Sequence, residues 1–382
     1  LRDVYIVGIG QTKAGEHWER SLRDLGVDAM LAALHDAGVE RADALYVGNM
    51  LSSELVAQVH LGTMLADWSG LGSIEALRVE AADASGAAAL RMGYLAVASG
   101  AVDLALVCGV EKTTDADDET TGRAWSYGMD GDYEASQGLS MPAIAGLLMR
   151  RYMHEFDVPR DAFAPFAINA HANGVSNPHA MFRRRVSVEA YRRSGMVADP
   201  VGMFDVAPLC DGAAAVLLCL GDRAGDLTDK PVHVRASAVA TDRLALHSRA
   251  DPLLLQAAKL SAQSAYAQAG AGPGDIDLFE LHDSFSVLAA LSLEACGFAE
   301  RGHGTDLARD GEIGLQGRVP ICTMGGLKAR GNPVGATGIY QIVELVEQLR
   351  GEAGANQIDC QLGMAQSLGG SGATAITHIL EA

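Results

Sequence analysis

Apolar residues fall into short blocks separated by glycine, and the blocks alternate between two spacings. Val4 to Ile9 is a nearly continuous apolar run closed by Gly8 and Gly10, which predicts a buried strand. From Ser21 to Ala37 the apolar positions are Leu22, Leu25, Ala29 and Ala32-Ala33, one face of a helix, with a stop at Gly38. Asp43 to Gly48 predicts a second strand, Val56 to Leu65 a helix, and Ser85 to Ala98 an Ala-rich helix ended by Gly100. Asp103 to Val110 is almost wholly apolar, as expected of a parallel-sheet strand covered on both faces. This alternation of strand and helix places the chain in the α/β class.

The pattern changes near Thr113. As far as Asp205 the chain is richer in charge, His, Tyr and Met, and it reads as a mostly helical insertion (about 113–205) over a binding face. Asp211 to Leu218 resumes the core with a turn and a buried strand. Asp222 to Asp229 is the expected linker between an N-terminal half, 1–226, and a C-terminal half, 227–382. The second half repeats landmarks of the first. Ala37-Gly38 followed by Asp43 and a strand matches Ala269-Gly270 followed by Asp275 and a strand, both at an offset of 232 residues. Asp83 to Gly86, its helix and the strand 103–110 match Asn332 to Gly335, a helix to about Leu349 and a strand from Ile358 to Ala365. A duplicated α/β unit accounts for both.

Composition narrows the function. A net charge of -19 argues against nucleic acid or an anionic membrane surface as a general partner, although local Arg, Lys or helix N-termini can still hold a phosphorylated ligand. The six cysteines have no CxxC pair and no metal-site spacing, so buried inert thiols in a reducing compartment are expected, with no bound metal. No 18-residue apolar run and no leader pattern is present, which gives the expectation of an unprocessed cytoplasmic protein.

Three loop segments rich in small residues end strands and open helices or turns: Glu80 to Gly86, Glu280 to Ser286, and Gly325 to Gly338. The third resembles the thiolase signature of a Gly-Gly start, a Gly-His-Pro core and a Gly-Ala-Thr-Gly end, with Asn332 where His belongs. The second is similar to the family's His-Asp-Cys-Phe block, with His282, Asp283 and Phe285 kept and Ser284 in the Cys place. The first is similar to the nucleophile block Cys-Ala-Ser-Gly, with Asp83 in the Cys place. Asp211 to Ala215 and the closing Gly369 to Thr374 also fit, so the resemblance spans essentially the whole chain and is nearest to archaeal-type and sterol-carrier-type thiolases.

That resemblance implies a duplicated five-layer α-β-α-β-α fold, coenzyme A thioesters as substrates without a permanently bound cofactor, and a homodimer or homotetramer. It also implies, for archaeal-type relatives, a small zinc-ribbon and OB-fold partner. In the family a thiolate at a helix N-terminus attacks the thioester, His takes its proton, a second Cys moves the α-proton, and an oxyanion hole holds the enolate. Here the candidate catalytic positions are Asp83, His282, Ser284 and Asn332. For Asp83 the plain reading is a helix cap, with a carboxyl pKa lowered by the helix dipole; the functional reading is a base or water holder. Asn332 is either a turn residue before Pro333 or half of an oxyanion hole, and Ser284 lacks the acidity for unaided proton transfer. His282 is the standard titrating group left in these blocks, either a site residue or a satisfied core histidine. Tyr340 reads as a helix residue with a loose acid/base alternative, and Cys322 as a core thiol. His171, Asn173 and His179 are surface or pocket residues of the insertion. Candidate coenzyme A contacts are Arg183 and Arg184, within a basic run that solvent also suits, and Gly325, Gly326, Gly369 and Gly370.

Three functions stay open on these residues. The first is a protein that acts on the bond next to an acyl-CoA carbonyl without a Cys acyl-enzyme, as retro-aldolase relatives do on β-hydroxyacyl-CoA. The second is a non-catalytic homologue that binds coenzyme A or scaffolds a complex. The third is an acetyl-CoA C-acetyltransferase with a mutated nucleophile.

Overall fold

The computed structural model describes residues 2–382. Its strands are β1 (Val4–Gln11), β2 (Ala44–Gly48), β3 (Glu75–Val79), β4 (Leu104–Glu111), β5 (Met196–Ala198), β6 (Val201–Gly202), β7 (Gly212–Leu220), β8 (Val232–Thr241), β9 (Leu278–Glu280), β10 (Leu362–Gly369) and β11 (Thr374–Glu381). The helices are α1 (Leu22–Asp36), α2 (Ser52–Leu55), α3 (Leu61–Trp68), α4 (Ser85–Ser99), α5 (Asp118–Trp125), α6 (Met141–Glu155), α7 (Ala164–Gly174), α8 (Val188–Arg193), α9 (Gly221–Leu227), α10 (Gln256–Ala269), α11 (Ser286–Ala295), α12 (Gly304–Arg309) and α13 (Thr337–Leu349).

Among the described residues nine strands form one mixed sheet in the order β3-β2-β4-β7-β1-β8-β11-β10-β9, and β5 and β6 form a separate ribbon. The sheet has two halves joined where β1 meets β8 antiparallel through Tyr5 and Ile6. Read outward from that seam, β1-β7-β4-β2 and β8-β11-β10-β9 have the same order and sense, with α4 and α13 following the same path. The equivalent of β3 shrinks to a parallel bridge between Phe279 and Ile321. Helices α4 and α13 touch each other and lie between the two sheet halves, α1 covers one outer face and α10 the other, which gives the five layers.

The local reasons are ordinary. Ser21 caps α1 with a full capping box to Asp24, and Gly38 leaves it at positive φ. Strands β4 and β7 are buried along their whole length because α1 packs on one side and α4 or α13 on the other. Among the described residues no helix is long and apolar enough to cross a membrane.

Three expectations are corrected. The helix expected over Val56–Leu65 is two short helices, α2 and α3, because His60 turns at a left-handed φ of 65°. The linker expected at Asp222–Asp229 is largely α9, packed on β1. The duplication is real, but Asp275 is not the partner of Asp43. Asp43 accepts the N–H groups of Asp103 and Leu104, and the residue doing this in the second half is Asp277, through Gln361 and Leu362. A turn at Pro273–Asp275 adds two residues after α10, so Gly38 and Gly270, which leave the two helices at positive φ, keep the 232-residue offset and the aspartates do not.

One buried carboxylate ties the halves together above this core. Glu111, at the end of β4, accepts from Asn49 Nδ2 at 2.7 Å, Leu51 N at 3.1 Å, Met50 N at 3.0 Å and, across the seam, Gly335 N at 3.1 Å. Burial pushes its pKa up to about 7, against the pull of those N–H groups and of Arg78. Truncating it strands several buried donors. Glu111→Ala is expected to lower stability by about 3 kcal/mol or more in urea denaturation, with Glu111→Gln intermediate, since the amide supplies one acceptor oxygen. Glu119→Gln, on the exposed face of α5, should stay within about 0.5 kcal/mol of the parent.

Candidate active site

The first loop is a tight bend. Ala82 has φ 51°, and Ser85 Oγ closes the turn by accepting from Ala81 N at 2.9 Å and donating to Ala82 O at 2.6 Å. This leaves Asp83 beside the first turn of α4 but not capping it, since the residue before the helix makes no side-chain cap. Its carboxylate instead accepts from Trp125 Nε1 at 2.6 Å and from Gly370 N at 3.2 Å. Asp83 is buried, and desolvation raises its pKa to about 6 despite those two donors. Both parts of the cap reading are therefore corrected: there is no cap, and burial outweighs the dipole.

The second and third loops are laced to one strap, residues 206–211. Val206 bridges to Phe285, Ala207 N donates to Ser284 O at 2.9 Å, Asn332 N donates to Pro208 O at 2.9 Å, and Cys210 N donates to Asn332 O at 3.1 Å. Trp125 carries the first loop into the same place: its indole bonds Asp83 and stacks on Phe285 with centroids 5.5 Å apart and planes at 8°. From the other side Gly86 packs on Gly335 and Ile339 so closely that a Cβ would lie 2.9 Å from Gly335 O. The three loops thus meet at one place between the halves.

Asn332 is fully buried. Its Oδ1 accepts from Val334 N at 3.1 Å and Thr337 Oγ1 at 2.9 Å, and its Nδ2 has no partner. A buried N–H₂ without an acceptor is costly unless a ligand oxygen meets it. His282 is also buried, its Nδ1 has no partner, and desolvation together with Arg330 lowers its pKa to about 3, so the imidazole is neutral. Ser284 is buried. Asp283 does not point to the site; it accepts from Leu327 N at 2.7 Å and Lys328 N at 3.3 Å and shapes the turn that carries Arg330. Arg330, fully buried, pairs with Glu344 at 3.0 Å and lies over the Tyr340 ring at 4.7 Å. Tyr340 OH is spent on Thr12 O at 3.0 Å, which removes the acid/base alternative for it. All six cysteines are buried and unpaired, and burial together with Asp283 and Glu280 raises the Cys322 thiol well above its usual range.

A cavity of about 730 Å³ opens beside the strap, lined by Arg184, Arg185, Phe204, Val206, Pro208 and Lys328 among others. Lys328 Nζ donates to Met203 O and Val206 O, and burial lowers its pKa to about 8. His171 also lines it, with Nδ1 on Arg184 O and a pKa lowered to about 4 by burial and Lys328. Arg183 turns away to Val175 O, so of the two expected arginines Arg184 faces the cavity and Arg183 does not. Asn173 is committed to Cys322 O. The four glycines expected at coenzyme A are closely packed. Gly325 abuts Gly174, Gly326 sits against Asp283 and Cys322 at φ 54°, Gly369 lies on Ala81 O, and Gly370 leaves no room for a Cβ beside Gly128 O. Only Gly370 touches a site residue, through its N–H to Asp83.

Sequence reasoning missed Trp125, Glu111, Lys328 and the strap. A lone tryptophan 42 residues from its partner gives no periodic signal, and the helix that carries it opens on the acidic residues Asp117 to Glu119.

Comparison with known proteins agrees with this geometry. Residues 4–222 match the family model "Thiolase, N-terminal domain" and residues 238–382 match "Thiolase C-terminal domain-like". The chain is 46% identical over 382 residues to the acetyl-CoA acetyltransferase of Methanothermobacter thermautotrophicus, covering 99% of each. It is 30% identical to the benzoylsuccinyl-CoA thiolase subunit BbsB of Thauera aromatica, covering 94% of this chain and 92% of that one. Among solved structures the "Ltp2-ChsH2(DUF35) aldolase" superposes with TM-score 0.86 at 26% identity, covering 100% of this chain and 98% of that one. With both halves matched and a relative 46% identical over nearly the whole chain, this chain belongs to the thiolase superfamily.

Proposed function

We propose that the protein binds an acyl-CoA and makes or breaks the bond between Cα and Cβ of a β-hydroxyacyl thioester without an acyl-enzyme. The observation that carries this reading is the pairing at one site of a buried carboxylate in the nucleophile position with a buried, unpartnered amide donor at Asn332. In the cleavage direction Asp83 takes the β-hydroxyl proton. The Cα–Cβ bond then breaks, its electron pair passes into the thioester as an enolate, and Asn332 Nδ2 donates to the enolate oxygen. Protonated Asp83 returns the proton to Cα, giving a shortened acyl-CoA and a carbonyl compound. His282, neutral and fixed, adds a polar wall, and Ser284 fills the volume of the family's second Cys. No thiolate is needed, which suits a chain whose thiols are all buried. The likeness to the Ltp2-ChsH2(DUF35) aldolase supports the same reading.

Coenzyme A belongs in the large cavity, with Arg184, Arg185 and Lys328 toward its phosphates and the pantetheine arm running under the strap. The edge strand β3, with Leu77 exposed, offers a row of unpaired backbone groups to a second copy. A small zinc-ribbon and OB-fold partner stays part of the reading, since the description of that same structure pairs a second protein, ChsH2, with the first. A cytoplasmic location fits the unpaired thiols.

Incubated with a β-hydroxyacyl-CoA, the protein is expected to release a shorter acyl-CoA in the absence of free coenzyme A, as followed by mass spectrometry. Strict dependence on free coenzyme A would mean thiolysis and would sink the proposal; saturable binding with no turnover would favour the non-catalytic reading. Asn332→Ala should lower kcat by about 100-fold.

Asp83 must be ionised to act as the base. With its pKa near 6, kcat/KM should rise with pH through about 6 and level off above it. Asp83→Asn should abolish that limb and lower the plateau by about 100-fold. A limb that survives in the variant would assign the base elsewhere.

A further inference from the structure

A second cavity, of about 590 Å³, lies across the strap from the first and shares Val197, Val206 and Ala207 with it. Two of its walls back the site directly. Trp125 holds Asp83 through its indole N–H, and Leu209 bridges to Asn332. A thioester whose coenzyme A part fills the first cavity and whose carbonyl meets Asn332 has this space in front of its acyl end.

We propose that this second cavity receives the acyl part of the substrate beyond the reacting carbons, and that it selects neutral, apolar groups. The proposal rests on the acyl-CoA reading above and adds the substrate class. Its hydroxyl-bearing wall residues have little to offer a polar ligand. Thr113 and Thr114 give their hydroxyls to Asp211, Thr121 gives its hydroxyl to Thr113 O, and Ser140 Oγ caps α6 at Ala143 N. Apart from two carboxylates, the rest of the lining is mostly apolar, with Trp125 and Leu209 at its inner end. Carboxylates stand among the lining, Glu16 and Asp118, and no Lys or Arg accompanies them. An acyl group that ends in a carboxylate meets like charge there without a cation to answer it.

Gly122, in α5, supplies a test that spares the machinery. It lines this cavity, is not part of the first, and a Cβ built on it meets nothing within 4 Å. Gly122→Leu therefore adds bulk on this wall from a Cβ position that meets no neighbour, and the change favours the helix. Gly122→Ala with a thermal melt serves as the control for folding. Titration calorimetry would compare coenzyme A, hexanoyl-CoA and succinyl-CoA on the parent and on Gly122→Leu. The expected result is that hexanoyl-CoA binds the parent about tenfold or more tighter than coenzyme A, while succinyl-CoA gains nothing. In Gly122→Leu the hexanoyl advantage should collapse, with coenzyme A affinity changed by less than about twofold. A hexanoyl advantage that survives in Gly122→Leu, or a succinyl-CoA that binds as well as hexanoyl-CoA, overturns the inference while leaving the acyl-CoA reading standing. Failure of coenzyme A itself to bind the parent overturns both.

Discussion

Everything at the site hangs from the fact that two copies of one α/β unit must be held in register across a short seam. Only Tyr5 and Ile6 pair across it in the sheet, so the alignment of α4 against α13 needs other ties. Glu111 is the strongest of them. It reaches from the end of β4 to Gly335, the residue on which Gly86 packs, and so sets how close the first loop can come to the third. The glycines at 86, 335 and 338 make that approach possible, because a side chain at any of them would strike backbone. A second tie is Asp211. It accepts from Lys112 Nζ at 2.9 Å and from Thr113 N, Thr114 N and His17 N, and thereby anchors the strap that laces the second loop to the third. A fully buried ion pair is weak evidence of stability by itself, but it defines position well.

Desolvation, rather than any single charge, sets the electrostatics of the site. It is the largest influence on Asp83, which moves up, and on His282, which moves down. The two shifts have the same sense, since each group is pushed toward its neutral form. They differ in consequence. At neutral pH His282 is uncharged, whereas Asp83 is mostly ionised yet close enough to its pKa to take a proton and give it back. The dipole of α4, which argues for a permanently ionised carboxylate, is outweighed because the bend at Ala82 carries Asp83 inward to Trp125 rather than onto the helix N–H groups. Arg330 keeps its charge inside the protein by pairing with Glu344 and lying over Tyr340. That same charge helps to hold His282 neutral.

Much of this was legible in the chain. The long apolar strands β1, β4 and β7, the capped helix α1 and the Ala-rich α4 follow directly from the sequence, because the strands are continuous apolar runs and the helices bury one periodic face. The positions Asp83, His282, Ser284 and Asn332 were legible as a set, and the structure brings their loops together. What escaped the sequence was whatever depends on contacts without a period. Trp125 sits in a polar helix and is recognisable only once it touches Asp83. The pairing of Asp43 with Asp275 failed because a short turn after α10 shifts the count by two residues, and Ala-Gly alone does not reveal it. The glycines at 325, 326 and 369 read as candidate coenzyme A contacts through the family blocks they belong to. Here the same lack of a side chain serves backbone packing.

The replacements at the three family positions make more sense together than singly. Asn332 is locked in one orientation, since both groups near Oδ1, Val334 N and Thr337 Oγ1, donate to it; turning the amide would set N–H against N–H. Its Nδ2 is therefore a fixed donor that cannot move a proton. With Asn there, a thiol at position 83 would have no partner to deprotonate it, and a carboxylate, which needs none, is the better fit. On the proposed reading a serine at 284 does not serve as the second acid/base either, and the proton taken from the substrate returns from the group that took it. Asp83, with a pKa close to neutrality, can do both. A chain that had merely lost its activity would be under no constraint to keep a buried, unpartnered donor and a buried carboxylate at one place, since each costs stability. Their presence together is the physical argument behind the proposed reading of a working site that needs no covalent intermediate.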